Sequence, residues 1–465
     1  MPDDTTPETA TSDENEASAT PAVAATAGAA GAGDNYYPGY GNGGYDVDSY
    51  DLVIDWDHDQ RVMDSTATIV MTATQDLSSF NLDLIGFDVS SITVNGRAAT
   101  FERDGRELII TPAAPLELDS LATVEVAYAG APSPVESVGF PFFAGGWTDL
   151  GDSIVVAGEP EGAAGWYPVN AHPIDKATYR VEVTADSDIA VASNGTQVSV
   201  TENGDLTTWV YESAFPQAHY LTTLAIGNLL PHQGAPSLSG VPVRHFFDER
   251  VFDDSVITME RTHEMIDAFE SMFGPYPFEN YGSVVVDGDL GFALETQTLS
   301  VFGSDLIARD GSTEFIVAHE LAHQWFGNHV SPGQWSDIWL NEGFASYSEY
   351  LWLEASVPGF DIDQAIRNEH DRAGSFLDTP AGAPPRDDLF NASIYRRGGF
   401  TLHALRTTIG DDMFFQLLAT YVEEFGGGSA FTSDFIGLAE DISGQDLDSF
   451  FDAWLFANEL PDLPN

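Results

Sequence analysis

The run His319-Glu320-Leu321-Ala322-His323 sets two histidines four positions apart with an acid between them. On a helix that spacing stacks the imidazoles one turn apart on one face. Two imidazoles so placed can share one zinc ion, and Glu320 is positioned to take a proton from a water that the metal activates. A catalytic zinc needs a third protein ligand and one open position. The candidate is Glu342, in Trp339-Leu340-Asn341-Glu342-Gly343, early in a second helical stretch that could pack across the first. The chain contains no cysteine, so disulfides, thiol nucleophiles and thiolate zinc sites are excluded together. Any metal must be held by His and carboxylates. The bare five-residue pattern also fits a surface helix with two histidines; the later glutamate is what argues against that.

These residues need elements to hold them. Beyond about residue 241 apolar side chains recur at helical spacing, over 313–327, 341–355, 394–409, 413–424, 434–441 and 447–457, after a short strand at Ser283–Val286. Gly327, Gly410 and the glycines 426–428 read as helix stops. Before 240 the pattern is that of strands. Runs at 50–56, 67–74, 91–94, 108–111, 122–128, 179–184 and 208–211 are rich in β-branched and aromatic residues. Turn signals such as Asn95-Gly96 and Asp104-Gly105 separate them. The expected fold is α+β: an antiparallel β domain over 46–240, as a sandwich or saddle, then a mostly helical domain over 241–465. Residues 1–45 read as an acidic leader. Up to about 34 it has no apolar period and is expected to be disordered, with Tyr36 to Tyr45 as a turn-rich entry into the fold.

The run His319-Glu-Leu-Ala-His-Gln-Trp-Phe-Gly-Asn-His-Val, followed by Trp335-Ser-Asp-Ile-Trp-Leu-Asn-Glu342-Gly-Phe-Ala-Ser-Tyr347, resembles the aminopeptidase N family of gluzincin metallopeptidases. The resemblance spans about 46–460 and is most specific between 275 and 400. It implies a thermolysin-like catalytic domain behind a β-rich domain, one zinc ion on His319, His323 and Glu342, Glu320 as general base, and hydrolysis of the peptide bond next to a free N-terminus. Phe292-Ala293-Leu294-Glu295-Thr296 resembles the family's Gly-Ala-Met-Glu-Asn motif. By that match Glu295 binds the substrate's α-ammonium, and the backbone at Ala293 lines the peptide like an added strand. Phe292 in place of Gly and Thr296 in place of Asn are departures. The segment from Glu159-Pro160-Glu161 to Asp175-Lys176-Ala177 resembles the family's domain junction, which implies that Glu159 is a second ammonium partner. Ile394-Tyr395-Arg396-Arg397-Gly398 resembles the family's Tyr-x-Lys-Gly site, with Arg397 for Lys. Tyr395 would then stabilise the developing oxyanion. Without the family, Glu159 and Glu295 would read as solvated acids and Tyr395 as a half-buried core residue. Glu349 is a candidate acceptor for a ligand histidine, and His329 and His403 read as structural.

The chain carries 74 Asp plus Glu against 16 Lys plus Arg, a formal charge of -58. Such a surface repels nucleic acid and anionic membranes, and no apolar run is long enough to span a bilayer. It suits solubility in salty surroundings, as does the single lysine, Lys176. The resemblance implies peptides with a free N-terminus as the partners, and the expected state is a monomer. Stretch 22–33 lacks the basic start and apolar core of a secretory signal. An extracellular or cell-surface setting is expected from the tether-like leader; the alternative is the cytoplasm of a halophile. The chain ends soon after the catalytic helices, from which an open cleft admitting longer peptides is expected. The rival readings are a thermolysin-like endopeptidase, which Glu295 argues against, an epoxide hydrolase, and a non-catalytic peptide-binding protein.

Overall fold

The structure, a computed structural model, describes residues 24–140 and 144–464. Its N-terminal half is built on an eight-stranded sheet in the order Thr196–Asn203, Leu206–Ala218, Lys176–Asp186, Tyr45–Asp57, Val62–Ala73, Leu121–Gly130, Asp88–Val94, Arg97–Ala98. The strand Tyr45–Asp57 shows why it forms. Tyr45, Val47, Tyr50, Leu52, Ile54 and Trp56 are buried, while Asp46, Asp48 and Asp55 face water. That period-two alternation fixes which face packs. Pairing is antiparallel except between Lys176–Asp186 and Tyr45–Asp57, which run parallel. A four-stranded and a five-stranded sheet cover the inner face around Trp166, Tyr167, Leu82 and Ile154.

The second half has its own five-stranded sheet, in the order Leu229–Gln233, Arg244–Asp248, Ser283–Val286, Ser300–Gly303, Ala293–Leu294. The hairpin of the first two strands straddles residue 240, so the expected division at 240/241 cuts through one sheet. By sheet membership the junction falls before Leu229. The last strand, Ala293–Leu294, lies at an edge and pairs only through Phe302 and Val301.

The helices are α1 (Phe252–Met259), α2 (Thr262–Phe273), α3 (Glu314–Ala322), α4 (Trp339–Ser356), α5 (Ile362–Ala373), α6 (Ala392–Ile409), α7 (Asp411–Phe425), α8 (Thr432–Ser443) and α9 (Asp448–Phe451). Helix α4 is buried along most of its length and crosses α6 at two glycines. A Cβ on Gly343 would stand 2.9 Å from the Gly398 Cα, so only glycines allow this approach. The crossing puts Glu342, just before Gly343, against the turn of α6 that carries Tyr395. Helix α9 gives way to a π turn at Asp452–Phe456. There the fully buried Arg397 donates to the carbonyls of Trp454, Ala453 and Ala457, tying the chain's last turns to α6.

The expected leader 1–45 is corrected over its second half. Residues 1–23 lie outside the described residues. From 24 onward the chain is packed: Thr26–Ala27 pairs with Leu77–Asp83, and Tyr37 is 2% exposed. Asp34 accepts from the Trp335 backbone N–H at 2.8 Å and from those of Tyr36 and Tyr37. Tyr36 and Tyr37 donate to the carbonyls of Pro384 and Arg386. This arm therefore straps the two halves together. Its partners lie some 300 positions away in sequence, which is why composition alone did not reveal its burial.

Candidate active site

Helix α3 presents His319 and Glu320 and ends at His323, whose N–H still reaches the His319 carbonyl. Gly327, at φ +117°, then turns the chain so that the Phe326 carbonyl comes back under the His323 ring. His323 Nδ1 lies 3.1 Å from that carbonyl, and His319 Nδ1 lies 2.9 Å from Glu349 Oε1. With a metal bound, each ring would donate its Nδ1 proton to that acceptor and turn the Nε2 lone pair to the cavity. Glu342, on α4, completes the group. Its Oε2 lies 3.3 Å from His319 Nε2 and 3.5 Å from His323 Nε2.

These spacings test the fit of a metal. Tetrahedral zinc, with ligand bonds of about 2.0–2.2 Å, holds neighbouring donors about 3.3–3.6 Å apart. The two measured separations fall in that range. Two imidazoles and one carboxylate, buried and free of thiolate, are a donor set that suits zinc.

The other predicted residues converge on the same cavity of about 240 Å³, which Glu159, Ala293, Glu295, Glu320, Glu349 and Tyr395 line with the three ligands. Tyr395 stacks on His319 with ring centroids 6.2 Å apart. Glu295 Oε1 and Glu159 Oε1 are buried and accept no hydrogen bond among the described residues. With Glu342 they form a cluster in which one oxygen of each lies within 4.8 Å of the others. Ala293 sits on the edge strand, with one side of its backbone turned from the sheet. His329 and His403 lie outside this cavity.

Electrostatics follow from that crowding. Burial and the Glu295 charge raise Glu159 well above the carboxylate range, and burial also raises Glu295. Burial pushes Glu320 up to about 8, against the pull of His319 and His323. Burial would lift Glu342 too, but the His323 and His319 rings outweigh it and hold it at about 2. Burial disfavours charge on the imidazoles, yet Glu295 and Glu342 lift His323 to about 9, and Glu342 and Glu349 lift His319 well above its usual range. The cavity is thus short of positive charge at two places: between the ligands, and beside Glu159 and Glu295.

The sequence did not point to the residues that hold Glu295 in place. Gln324, one turn past Glu320, donates to the Glu295 carbonyl at 3.1 Å and accepts from Thr298 N–H at 2.9 Å. Asn328 donates to the same carbonyl at 2.7 Å. Thr298 adopts a positive φ of 65°, which this clamp supports. The run Gln324 to Asn328 was in view as part of a motif, but only the fold shows what it grips.

Comparison with known proteins agrees with this arrangement. A profile described as "Peptidase M1 N-terminal domain" matches residues 47–221, and one described as "Peptidase family M1 domain" matches 257–454. A crystal structure of an M1 zinc metallopeptidase from Deinococcus radiodurans, bound to a Tyr-Ser-Ala substrate, superposes with a TM-score of 0.86 at 30% identity. It covers 94% of this chain and is itself covered completely. A two-domain M1 zinc metallopeptidase bound to L-tryptophan matches equally, with a TM-score of 0.86 and 30% identity. Aminopeptidase M1-B of Oryza sativa subsp. japonica is 27% identical over 308 residues, 62% of this chain and 35% of that protein. Aminopeptidase M1 of Arabidopsis thaliana is 26% identical over 316 residues, 64% of this chain and 36% of that protein. The chain thus spans about a third of the length of these curated relatives.

Proposed function

The chain belongs to peptidase family M1, and from that premise we propose that it is a zinc-dependent aminopeptidase acting on peptides with a free N-terminus. The observation that carries this is the pair of orphaned, buried carboxylate oxygens on Glu159 and Glu295, set in the same cavity as the His-His-Glu group. Two buried carboxylate oxygens that accept no hydrogen bond among the described residues, with only the His323 ring at 3.9 Å from that of Glu295, call for a further cation. A substrate α-ammonium supplies it, and only the first residue of a peptide has one. Holding that ammonium there leaves the first carbonyl to reach the ligand group, so the natural cut releases one residue.

Zinc, when bound by His319, His323 and Glu342, supplies Lewis-acid polarisation and an acidified water. The chain's own residues do the rest. Glu320 accepts the proton of the attacking water and returns it to the leaving amine. The Tyr395 phenol donates to the oxygen that gains charge as the carbonyl becomes tetrahedral. Backbone groups of Ala293–Leu294 align the peptide along the free sheet edge. We further propose that the enzyme works as a monomer, outside the cell or at its surface, in a salty medium; the acidic composition supports the last of these.

The test is amine release from matched free and N-acetylated aminoacyl substrates. Turnover of the free amines alone, abolished by chelation, restored by zinc and absent in Glu320→Gln, is the expected result. Equal turnover of the acetylated substrates would replace this reading with an endopeptidase, and no turnover of either by zinc-loaded protein would leave only peptide binding.

A further inference from the structure

In a chain with 74 acids, the only lysine, Lys176, turns its ammonium to backbone carbonyls. Nζ lies 2.8 Å from the Asn328 oxygen, 3.0 Å from that of His329 and 3.2 Å from that of Gly428. Three acceptors match the three donors of one ammonium nitrogen. A guanidinium spreads its donors over a planar fork and does not converge on one point in this way.

Both ends of the contact are anchored. Lys176 opens the strand Lys176–Asp186, which lies inside the eight-stranded sheet between Leu206–Ala218 and Tyr45–Asp57. The preceding Asp175 is tied to the same sheet by the Val47 N–H at 3.0 Å. The carbonyls belong to the turn that follows α3 and to the glycine loop after α7. Those two segments are joined to each other: Gly427 N–H donates to the His329 carbonyl and Ser331 N–H to that of Gly428. Lys176 thus pins both to the β domain.

Asn328 connects this pin to the substrate site. Its side chain donates to the Glu295 carbonyl at 2.7 Å. Glu295 follows an edge strand of two residues, so little ladder pairing fixes it. The clamp from the turn therefore sets where its carboxylate stands. The contacts run from Lys176 to the Asn328 carbonyl, through the Asn328 amide to Glu295, and pass through no ligand side chain.

We propose that Lys176 is a positioning residue: it fixes the turn at Asn328 from the β domain and so sets where Glu295 meets the substrate's ammonium. The inference rests on the aminopeptidase reading. Two inhibitors test it on the zinc-loaded full chain: leucine hydroxamate, and the same hydroxamate without its amine. The ratio of their inhibition constants reads the ammonium contact alone, because the metal-binding group is common to both. Lys176→Met is expected to lower that ratio by about tenfold, with zinc affinity and the amine-free inhibitor little changed. Lys176→Arg keeps the charge but not the convergence of donors, and should shift the ratio the same way. Asn328→Ala should give the loss seen with Lys176→Met, and the double variant no more than either, since both changes break one route. Folded lysine variants that weaken both inhibitors equally, or a double variant whose losses add, overturn the proposal. So does an unmoved ratio in Asn328→Ala, whether or not the lysine variants fold. A parent enzyme that binds the two hydroxamates alike overturns the aminopeptidase reading itself, and this inference with it.

Discussion

Glu349 shows how much of a metal site lies outside its ligands. It accepts from His319 Nδ1 at 2.9 Å, and Arg396 approaches its other oxygen at 3.8 Å. The carboxylate fixes the ring's tautomer and orientation and raises the basicity of Nε2. Removing it leaves the three ligands in place but one of them free to rotate. Glu349→Ala should therefore weaken zinc binding by about 10–100-fold, read by competition with a chromogenic chelator. Its fold should be retained, since the side chain is bonded to site residues rather than to the core. Unchanged zinc affinity would show that packing alone orients His319. Phe326 plays the same part for His323, but through a carbonyl that no side-chain substitution removes.

At the scale of elements, the α4–α6 crossing does the positioning. A Cβ on Gly398 would meet the Gly343 Cα at 2.8 Å, and that atom is backbone. Gly398→Ala must push the helices apart, at a cost of about 1–3 kcal/mol. It would also move Tyr395 from its place over the ligands, so kcat should fall more than zinc affinity. The control is Gly437→Ala, in the interior of α8, where an added Cβ meets nothing within 4 Å. That change should stabilise by about 0.5–1 kcal/mol through backbone entropy. Denaturant unfolding of the two variants, with opposite signs expected, checks both. Legibility in the sequence divides along the same line. His319, Glu320 and His323 were readable because one helical turn brings them together whatever the tertiary fold. Glu342 was reached as the third ligand that a zinc site needs, and Glu295, Glu159 and Tyr395 through resemblance; nothing in their local sequence joins them: the crossing of glycines and the clamp of Gln324 and Asn328 do. Helices α1 and α5 were missed because their apolar stripes are short, α5 burying Ile362 and Ile366; α2 was missed although Met265, Ile266, Phe269 and Phe273 give it a full helical stripe. The two-residue edge strand Ala293–Leu294 has no pattern of its own and exists through its pairing with Phe302 and Val301.

The whole molecule is governed by its charge. Of the few cations, several are drawn into the interior or the domain seam rather than left to offset surface acids. Lys176, the only lysine, points Nζ at the carbonyls of Asn328, His329 and Gly428, at 2.8, 3.0 and 3.2 Å. Arg397 is likewise wrapped in carbonyls, and Arg106 pairs with the buried Asp83 and Glu161. The outward faces of strands, such as Asp46, Asp48 and Asp55, are left to repel one another. Screening length falls from about 10 Å at 0.1 M salt to about 3 Å at 1 M. The thermal midpoint should therefore climb between 0.1 and 2 M KCl, and climb further than in sucrose of matched osmolality, which strengthens burial without screening charge. The same field attracts ammonium groups to a cleft lined with Glu159, Glu295 and Glu320. It follows that kcat/KM for a dicationic substrate, with a lysine beyond the first residue, should drop over the salt range in which the midpoint rises, while a neutral-tailed substrate is affected less. Opposite slopes for stability and for cationic turnover would identify one cause, the uncompensated surface charge. Parallel slopes would mean that salt acts on folding through burial alone, and that the acidic surface has no part in bringing substrate to the zinc.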